Sequence, residues 1–130
     1  MGPKQIDLTA AEWSVMECLW EGAPRTGQEV SQLMAERCGW SRSTTLTLLG
    51  RMEAKGAVAG EPGEGKRKRF LPLVSREDAA AGETEDFLDR VYKGSVSMMV
   101  SALTRKQSLS QAEIDELYAI LKDLEENKNA

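Results

Sequence analysis

The sequence predicts a mainly α-helical chain with one small β-hairpin, divided into two parts. Three observations carry this. Helix-start signals of the Thr/Ser-x-x-Glu kind recur along the chain, each followed by apolar residues at helical spacing. A single stretch, 58–74, loses the helical period and is broken by a Pro/Gly turn. Charge is divided unevenly as well. Residues 1–76 hold 11 Lys and Arg against 9 Asp and Glu, a net +2, whereas residues 77–130 hold 6 against 12, a net −6. A basic front and an acidic back suggest two jobs, with the boundary at 76/77.

The first helix opens at Thr9-Ala10-Ala11-Glu12, a capping box in which the Thr9 oxygen accepts from the backbone three residues on and Glu12 reaches back. Trp13, Met16, Leu19 and Trp20 form its apolar stripe, and Gly22 and Pro24 end it. The second opens in the same way at Thr26-Gly27-Gln28-Glu29, buries Val30, Leu33 and Met34, and stops at Gly39. The third opens at Ser41. Its Thr45, Leu48, Leu49 and Met52 fall at i, i+3, i+4 and i+7, and Lys55-Gly56 closes it. Two short strands follow, one from Val58 and one through Phe70-Leu71-Pro72-Leu73-Val74, about the turn Glu61-Pro62-Gly63-Glu64-Gly65. Pro72 suits an edge or a strand's end.

The back half begins with another helix start, Ser75-Arg76-Glu77-Asp78. Phe87, Leu88, Val91 and Tyr92 make a stripe that Gly94 interrupts and Val96, Met99, Val100 and Leu103 resume. A last capping box, Ser110-Gln111-Ala112-Glu113, precedes Ile114, Leu117, Leu121 and Leu124, with Ile120 near the same seam. About fifty residues cannot bury that much apolar surface alone, and a second copy of the chain is the simplest cover.

Composition excludes several classes. The chain of 130 residues has no histidine, which removes the commonest general base and metal ligand. With no nucleophile–base pair either, no catalytic role, no metal and no cofactor is expected. At 41% apolar and 29% charged residues it is not disordered by composition. No run nears the roughly 20 apolar residues of a membrane helix, and no signal peptide opens the chain, so a cytoplasmic protein without membrane insertion is expected. Cys18 and Cys38 sit in helical patterns and read as reduced and buried.

The third helix leaves Ser43, Leu46, Thr47, Gly50 and Ala54 on the face away from its buried stripe, with Arg51 on the flank. Small hydroxyls near a helix N-terminus and almost no acidic charge suit a DNA major groove; otherwise the face is an ordinary solvated one. Lys66-Arg67-Lys68-Arg69 alone reads as a solubilising loop. After three helices, at the tip of a hairpin, it reads as the wing of a winged helix straddling a phosphate backbone. Along a strand Arg67 and Arg69 share one face, Lys66 and Lys68 the other. Trp13, Trp20 and Trp40 read as packing residues rather than stacking platforms, and the acidic pairs of the back half as solvated faces.

Several of these segments resemble one family. Leu8-Thr9-x-x-Glu12-Trp13-x-Val15-Met16-x-x-Leu19-Trp20 looks like the opening of the BlaI/MecI penicillinase-repressor family, which includes the copper-responsive CopY repressors. Trp40-Ser41-x-x-Thr44-x-x-Thr47-Leu48-Leu49-x-Arg51-Met52-x-x-Lys55-Gly56, Pro72-Leu73-Val74, Phe87-Leu88-x-x-Val91-Tyr92-x-Gly94-Ser95 and Leu109-Ser110-x-x-Glu113-Ile114 continue it in order over roughly residues 8–124.

The resemblance implies a dimeric repressor on a palindromic double-stranded DNA operator. An N-terminal winged helix-turn-helix (1–76) precedes a C-terminal helical dimerisation domain (77–130), and the targets are resistance or stress genes. It places DNA contacts at Arg42, Ser43, Thr44, Leu46, Thr47 and Arg51 and on the wing at Lys66, Arg67, Lys68 and Arg69. Within these, Thr47 and Leu46 are expected at base edges, and Ser43, Thr44 and Arg51 at phosphates. Self-association is expected through Phe87, Leu88, Val91, Val96, Met99, Val100, Leu103, Leu117, Leu121 and Leu124. The resemblance also implies a membrane sensor protease as an upstream partner. Three positions depart from the family's pattern. Lys68 stands where an aromatic is usual, Ala102-Leu103 stands where the best-known cleaved bond is Asn–Phe, and no Cys-rich hook ends the chain, so copper sensing is not expected. The alternative from another class is a winged-helix module that binds protein; steep weakening by salt marks the DNA binder.

Overall fold

The computed structural model describes residues 6–65, 67–106 and 108–128. The chain runs α1 (Ala10–Glu21), β1 (Arg25–Thr26), α2 (Gly27–Cys38), α3 (Arg42–Ala54), β2 (Val58–Pro62), β3 (Lys68–Pro72), α4 (Arg76–Tyr92), α5 (Val96–Lys106) and α6 (Gln111–Lys128). It divides into two compact units, Met1–Asp86 and Phe87–Ala130, with the boundary inside α4.

In the first unit the helix starts are those of the sequence. Thr9 Oγ1 accepts from Glu12 N at 3.1 Å while Thr9 N donates to Glu12 Oε1 at 2.8 Å. Thr26 and Glu29 repeat the exchange at 3.1 and 3.0 Å. Ser41 Oγ accepts from Thr44 N at 3.2 Å to start α3. Helix α2 ends on Gly39 at φ 72°, a left-handed conformation that glycine adopts without steric cost. The expected hairpin is the larger part of a three-stranded antiparallel sheet, order β1-β3-β2. Glu61 lies opposite Arg69 and Gly60 opposite Phe70, while two-residue β1 pairs with β3 at Phe70 and Arg69. Pro72 closes β3, where its missing N–H costs no ladder bond to β1.

The core joins Val15, Met16, Cys18 and Leu19 of α1 to Val30 and Met34 of α2, Leu49 and Met52 of α3, and Ala57, Val58 and Phe70 of the sheet side. Each large buried side chain stabilises the fold by about 1.5–3 kcal/mol. The one hydroxyl buried on α3, Thr45 Oγ1, donates to Ser41 O at 3.4 Å, so it is satisfied within its own helix. The apolar stripe of α1 is shifted from the expected one. Val15 and Cys18 are fully buried, whereas Trp13 and Trp20 lie half-buried, edge to face at 5.2 Å. Their polar edges explain the shift: Trp13 Nε1 donates to Glu17 and Trp20 Nε1 to Val74 O, both at 2.9 Å. The cysteine expectation needs correction. Cys18 is buried, and burial pushes its thiol pKa up, but Cys38 lies exposed in the last turn of α2 because that turn projects past the core.

In the second unit Phe87 meets Tyr92 edge to face at 5.8 Å. Lys93 and Gly94, at φ 51° and 85°, turn the chain from α4 into α5. Ser110 Oγ accepts from Glu113 N at 3.2 Å to start α6. Its partner bond departs from the expected capping box, because the Ser110 hydroxyl, not its backbone N–H, donates to the Glu113 carboxylate. Among the described residues no helix is long and apolar enough to cross a membrane.

The carboxylate of Glu12, on a residue only 2% exposed, joins the start of α1 to the end of α3. Lys55 Nζ donates to Glu12 Oε1 and to Asp7 O, both at 2.8 Å. Burial raises the Glu12 pKa, but the hydrogen bonds from Lys55 and Thr9 and the charge of Lys55 outweigh it and hold the carboxyl below its ordinary 4.5. A depressed folded value contributes stability above the unfolded pKa and loses it as pH falls through the folded one. Glu12→Gln is therefore expected to cost about 1–3 kcal/mol at pH 7. The gap to wild type should close as pH drops below 4.5. Denaturant titrations over that range check both; a gap independent of pH would show that the charge contributes nothing.

Candidate nucleic-acid interface

Helices α2 and α3 are joined by Gly39, Trp40 and Ser41, a turn too short for anything but a sharp corner, with Trp40 packed against the core. This is a helix-turn-helix, and the burial of Thr45, Leu49 and Met52 decides which face of α3 points out. Arg42, Ser43, Thr44, Leu46, Thr47, Gly50 and Arg51 are exposed, and Leu48 is half-buried at the margin. The N-terminal turn presents a cluster of hydroxyls, with Ser41 Oγ 3.2 Å from Ser43 Oγ and 3.0 Å from Thr44 Oγ1. Among the described residues neither Arg42 nor Arg51 forms an ion pair. Thr47, Thr44, Ser43 and Arg51 line an open groove of 390 Å³ together with Trp40, Leu48 and Ala11. The face thus offers hydroxyl donors and acceptors, two guanidinium groups and helix-terminal amides in one row.

Leu46 is less free than its position on the helical wheel suggests. It is 39% exposed, and a Cβ on Gly27 would lie only 3.0 Å from its Cδ2 and 3.8 Å from Phe70 Cε2. Gly27 at the start of α2 therefore leaves room for the Leu46 side chain beside it. Leu46, Arg42, Gln28, Arg67 and Lys68 converge on a second open cleft, of 260 Å³, between the helix-turn-helix and the sheet. Gln28 is a polar lining residue that the sequence reading does not single out. Its signal is its place in the first turn of α2, two residues after the capping residue Thr26.

The wing turns through Gly63, Glu64 and Gly65. Gly63 N donates to Arg67 O at 2.8 Å and Gly65 sits at φ 68°. Its basic run is not uniformly free. Lys66 lies outside the described residues. Arg67 is exposed and makes no ion pair among the described residues. Lys68 Nζ meets Glu53 Oε1 at 2.6 Å, and Arg69 Nη2 meets Glu61 Oε1 at 3.3 Å across the strand pair. Glu53 and Glu61 as counterions are invisible to a reading of the run alone, although the hairpin register places Glu61 opposite Arg69.

Of the residues expected to mediate self-association, Phe87, Val91, Val96, Leu103, Leu117, Leu121 and Leu124 are exposed, while Leu88, Met99 and Val100 are half-buried. Within the second unit Leu103, Val100, Leu117 and Ile120 line a further apolar groove between α5 and α6.

Known proteins resemble this chain over nearly its whole length. The model of the family described as Penicillinase repressor matches residues 8–123. The penicillinase repressor of Bacillus licheniformis is 33% identical over 122 residues, covering 94% of this chain and 92% of that one. The methicillin resistance regulatory protein MecI of Mammaliicoccus sciuri is 30% identical over 121 residues, 93% of this chain and 98% of that one. The solution structure of the Bacillus licheniformis BlaI monomeric form in complex with the blaP half-operator superposes with a TM-score of 0.51 at 28% identity, covering 58% of this chain and 90% of that one. With a winged helix-turn-helix in its first unit and a family match from residue 8 to residue 123, the chain belongs to the penicillinase repressor family.

Proposed function

We propose that the chain is a transcriptional repressor that binds a two-fold symmetric duplex operator as a homodimer. The first unit is its DNA-binding domain and the second its dimerisation domain. The observation that carries this reading is the outward face of α3, which combines hydroxyls and unpaired guanidinium groups with no unpaired carboxylate. A relative of the same fold, BlaI, is described as a monomeric form on a half-operator; two such units fill a symmetric site. By the likeness to penicillinase and methicillin resistance regulators, the controlled genes are resistance genes. Control by a sensor protease, the remaining partner of this reading, would require a cut in the second unit. Ala102 and Leu103 lie there inside α5, and Leu103 is 60% exposed.

On the duplex, α3 enters the major groove. Ser43 and Thr44, with the first-turn amides, hold phosphate, as do Arg42 and Arg51 at the flanks. Thr47, one turn further in, reaches a base edge. Leu46 contacts a thymine methyl with the exposed part of its side chain. The wing tip, Lys66 and Arg67 first, then Lys68 and Arg69, follows the phosphate backbone.

Thr47→Ala is expected to cost about 1–3 kcal/mol on the cognate operator and little on random duplex. Gel-shift titrations on both, at one salt concentration, decide it, and equal losses would move Thr47 to the backbone. Leu46→Ala should lower the unfolding free energy of the protein without DNA by about 1–2 kcal/mol, for its buried part. No loss in a denaturant titration would leave the whole side chain to the groove. Sedimentation of the full chain should show a dimer that Leu117→Asp with Leu121→Asp dissociates; an unchanged sedimentation coefficient would place the self-association elsewhere.

A further inference from the structure

Helix α3 carries a single acidic residue, Glu53, in its last turn. Its carboxylate Oε1 accepts from Lys68 Nζ at 2.6 Å, bridging the recognition helix to the first residue of β3. The backbone makes room for this bond. A Cβ on Gly60 of β2 would overlap Lys68 Cε and lie 2.7 Å from Glu53 Oε2, so the bridge crosses the strand where glycine leaves a gap. The Lys68 ammonium also stands 5.5 Å from the centre of the Phe70 ring. The bridge is half in water, with side-chain exposures of 51% and 34% for Lys68 and Glu53. An exposed pair of this kind is weak enough to change partners. Phosphate offers Lys68 the same hydrogen-bond chemistry as the carboxylate.

Resting on the DNA-binding reading above, we propose that Glu53 competes with DNA phosphate for Lys68 and so limits the affinity of the wing. When Lys68 turns to a phosphate, Glu53 is left as an unpaired anion beside a polyanion. When Lys68 stays on Glu53, it displaces no counterion from the duplex. Either way Lys68 contributes less to binding than an unpaired lysine would, and the wing works below the strength its sequence displays. Arg67, which lacks an ion pair among the described residues, carries the phosphate contact. Such restraint weakens binding to every duplex alike, because phosphates carry no sequence, and leaves discrimination to the groove face of α3.

The test is a double-mutant cycle in the full chain on a random-sequence duplex, with affinity measured over a range of salt concentrations. Glu53→Gln should bind about two- to five-fold more tightly at low salt, the size of one exposed ion pair. Its salt slope should steepen by up to about 1, for one further counterion released. Lys68→Ala should weaken binding in both backgrounds, and by the larger factor in the Glu53→Gln background, where Lys68 is free for phosphate. Circular dichroism and unfolding midpoints establish that each variant is folded. A Glu53→Gln gain undiminished without Lys68 would make Glu53 a general repulsive charge with no competition for Lys68 and overturn the proposal. Wild-type protein that bound no duplex at low salt would overturn the functional reading and this inference with it; a wild type that binds and four proteins that behave alike would overturn the inference alone.

Discussion

The burial of one side of α3 governs everything the first unit can do. Thr45, Leu49 and Met52 are locked against α1, α2 and the sheet side. Since a helix advances about 100° per residue, this fixes the azimuth of Ser43, Thr47 and Arg51 without any contact of their own. No side chain on the outer face has to stabilise the fold, so that face is free to be chosen for its chemistry; Leu46 is the partial exception. The ends of the helix are anchored separately. Ser41 caps its start, and the Glu12–Lys55 pair ties its end to the entry of α1. A reading head held by its back and both ends needs little reorganisation to meet a rigid partner such as duplex DNA.

A chain of net charge −4 is an unexpected ligand for a polyanion, and the distribution of its carboxylates explains how it can be one. Six of those in the first unit are engaged by neighbours. Glu12 takes Lys55, Glu17 takes Arg76, Glu21 takes Arg37, Glu53 takes Lys68 and Glu61 takes Arg69, while Glu29 closes the capping box of α2. Arg42, Arg51 and Arg67 carry no such pair among the described residues, and all three border the α3 face or its clefts. The field at the contact surface is set by these cations and not by the total charge, whose whole excess of acid lies beyond residue 76. The same pairing marks the difference between a basic run as spelled and a basic surface as folded: Lys68 and Arg69 count in the sequence but are half spent in the fold.

What was legible in the sequence follows the range of the interaction that fixes it. The capping boxes at Thr9 and Thr26 close within three residues, and each helix begins where they say. The stripe of α3 and the left-handed stop at Gly39 are equally local. Strand β1 is two residues long, too short for any period, and exists only because β3 arrives beside it. The partners of Lys68 and Lys55 lie 15 and 43 residues away, so no spacing rule finds them. Leu46 is exposed, as its place on the wheel requires, but the room that Gly27 leaves beside it lies on another helix, beyond any spacing rule. Cys38 shares a helix with the buried Met34 but sits in the final turn, beyond the reach of the core.

The second unit poses the opposite problem. Its α6 has no buried residue, and Leu103, Leu117, Leu121 and Leu124 are each more than a third exposed. A unit of this size buries too small a fraction of its surface to be stable by itself. In the proposed homodimer, folding of this unit and association of the chains become one equilibrium, since the apolar faces that would destabilise a lone arm are those that join two. In that dimer each DNA-binding unit alone would grip half a site. Joined, the second grip is intramolecular and benefits from the effective concentration that the arm supplies. Anything that damages the arm then lowers operator occupancy without touching α3, through loss of the second grip alone. The wing restraint makes occupancy depend on the pair, because a unit that binds weakly alone leaves its half-site empty at concentrations where two linked units still fill both.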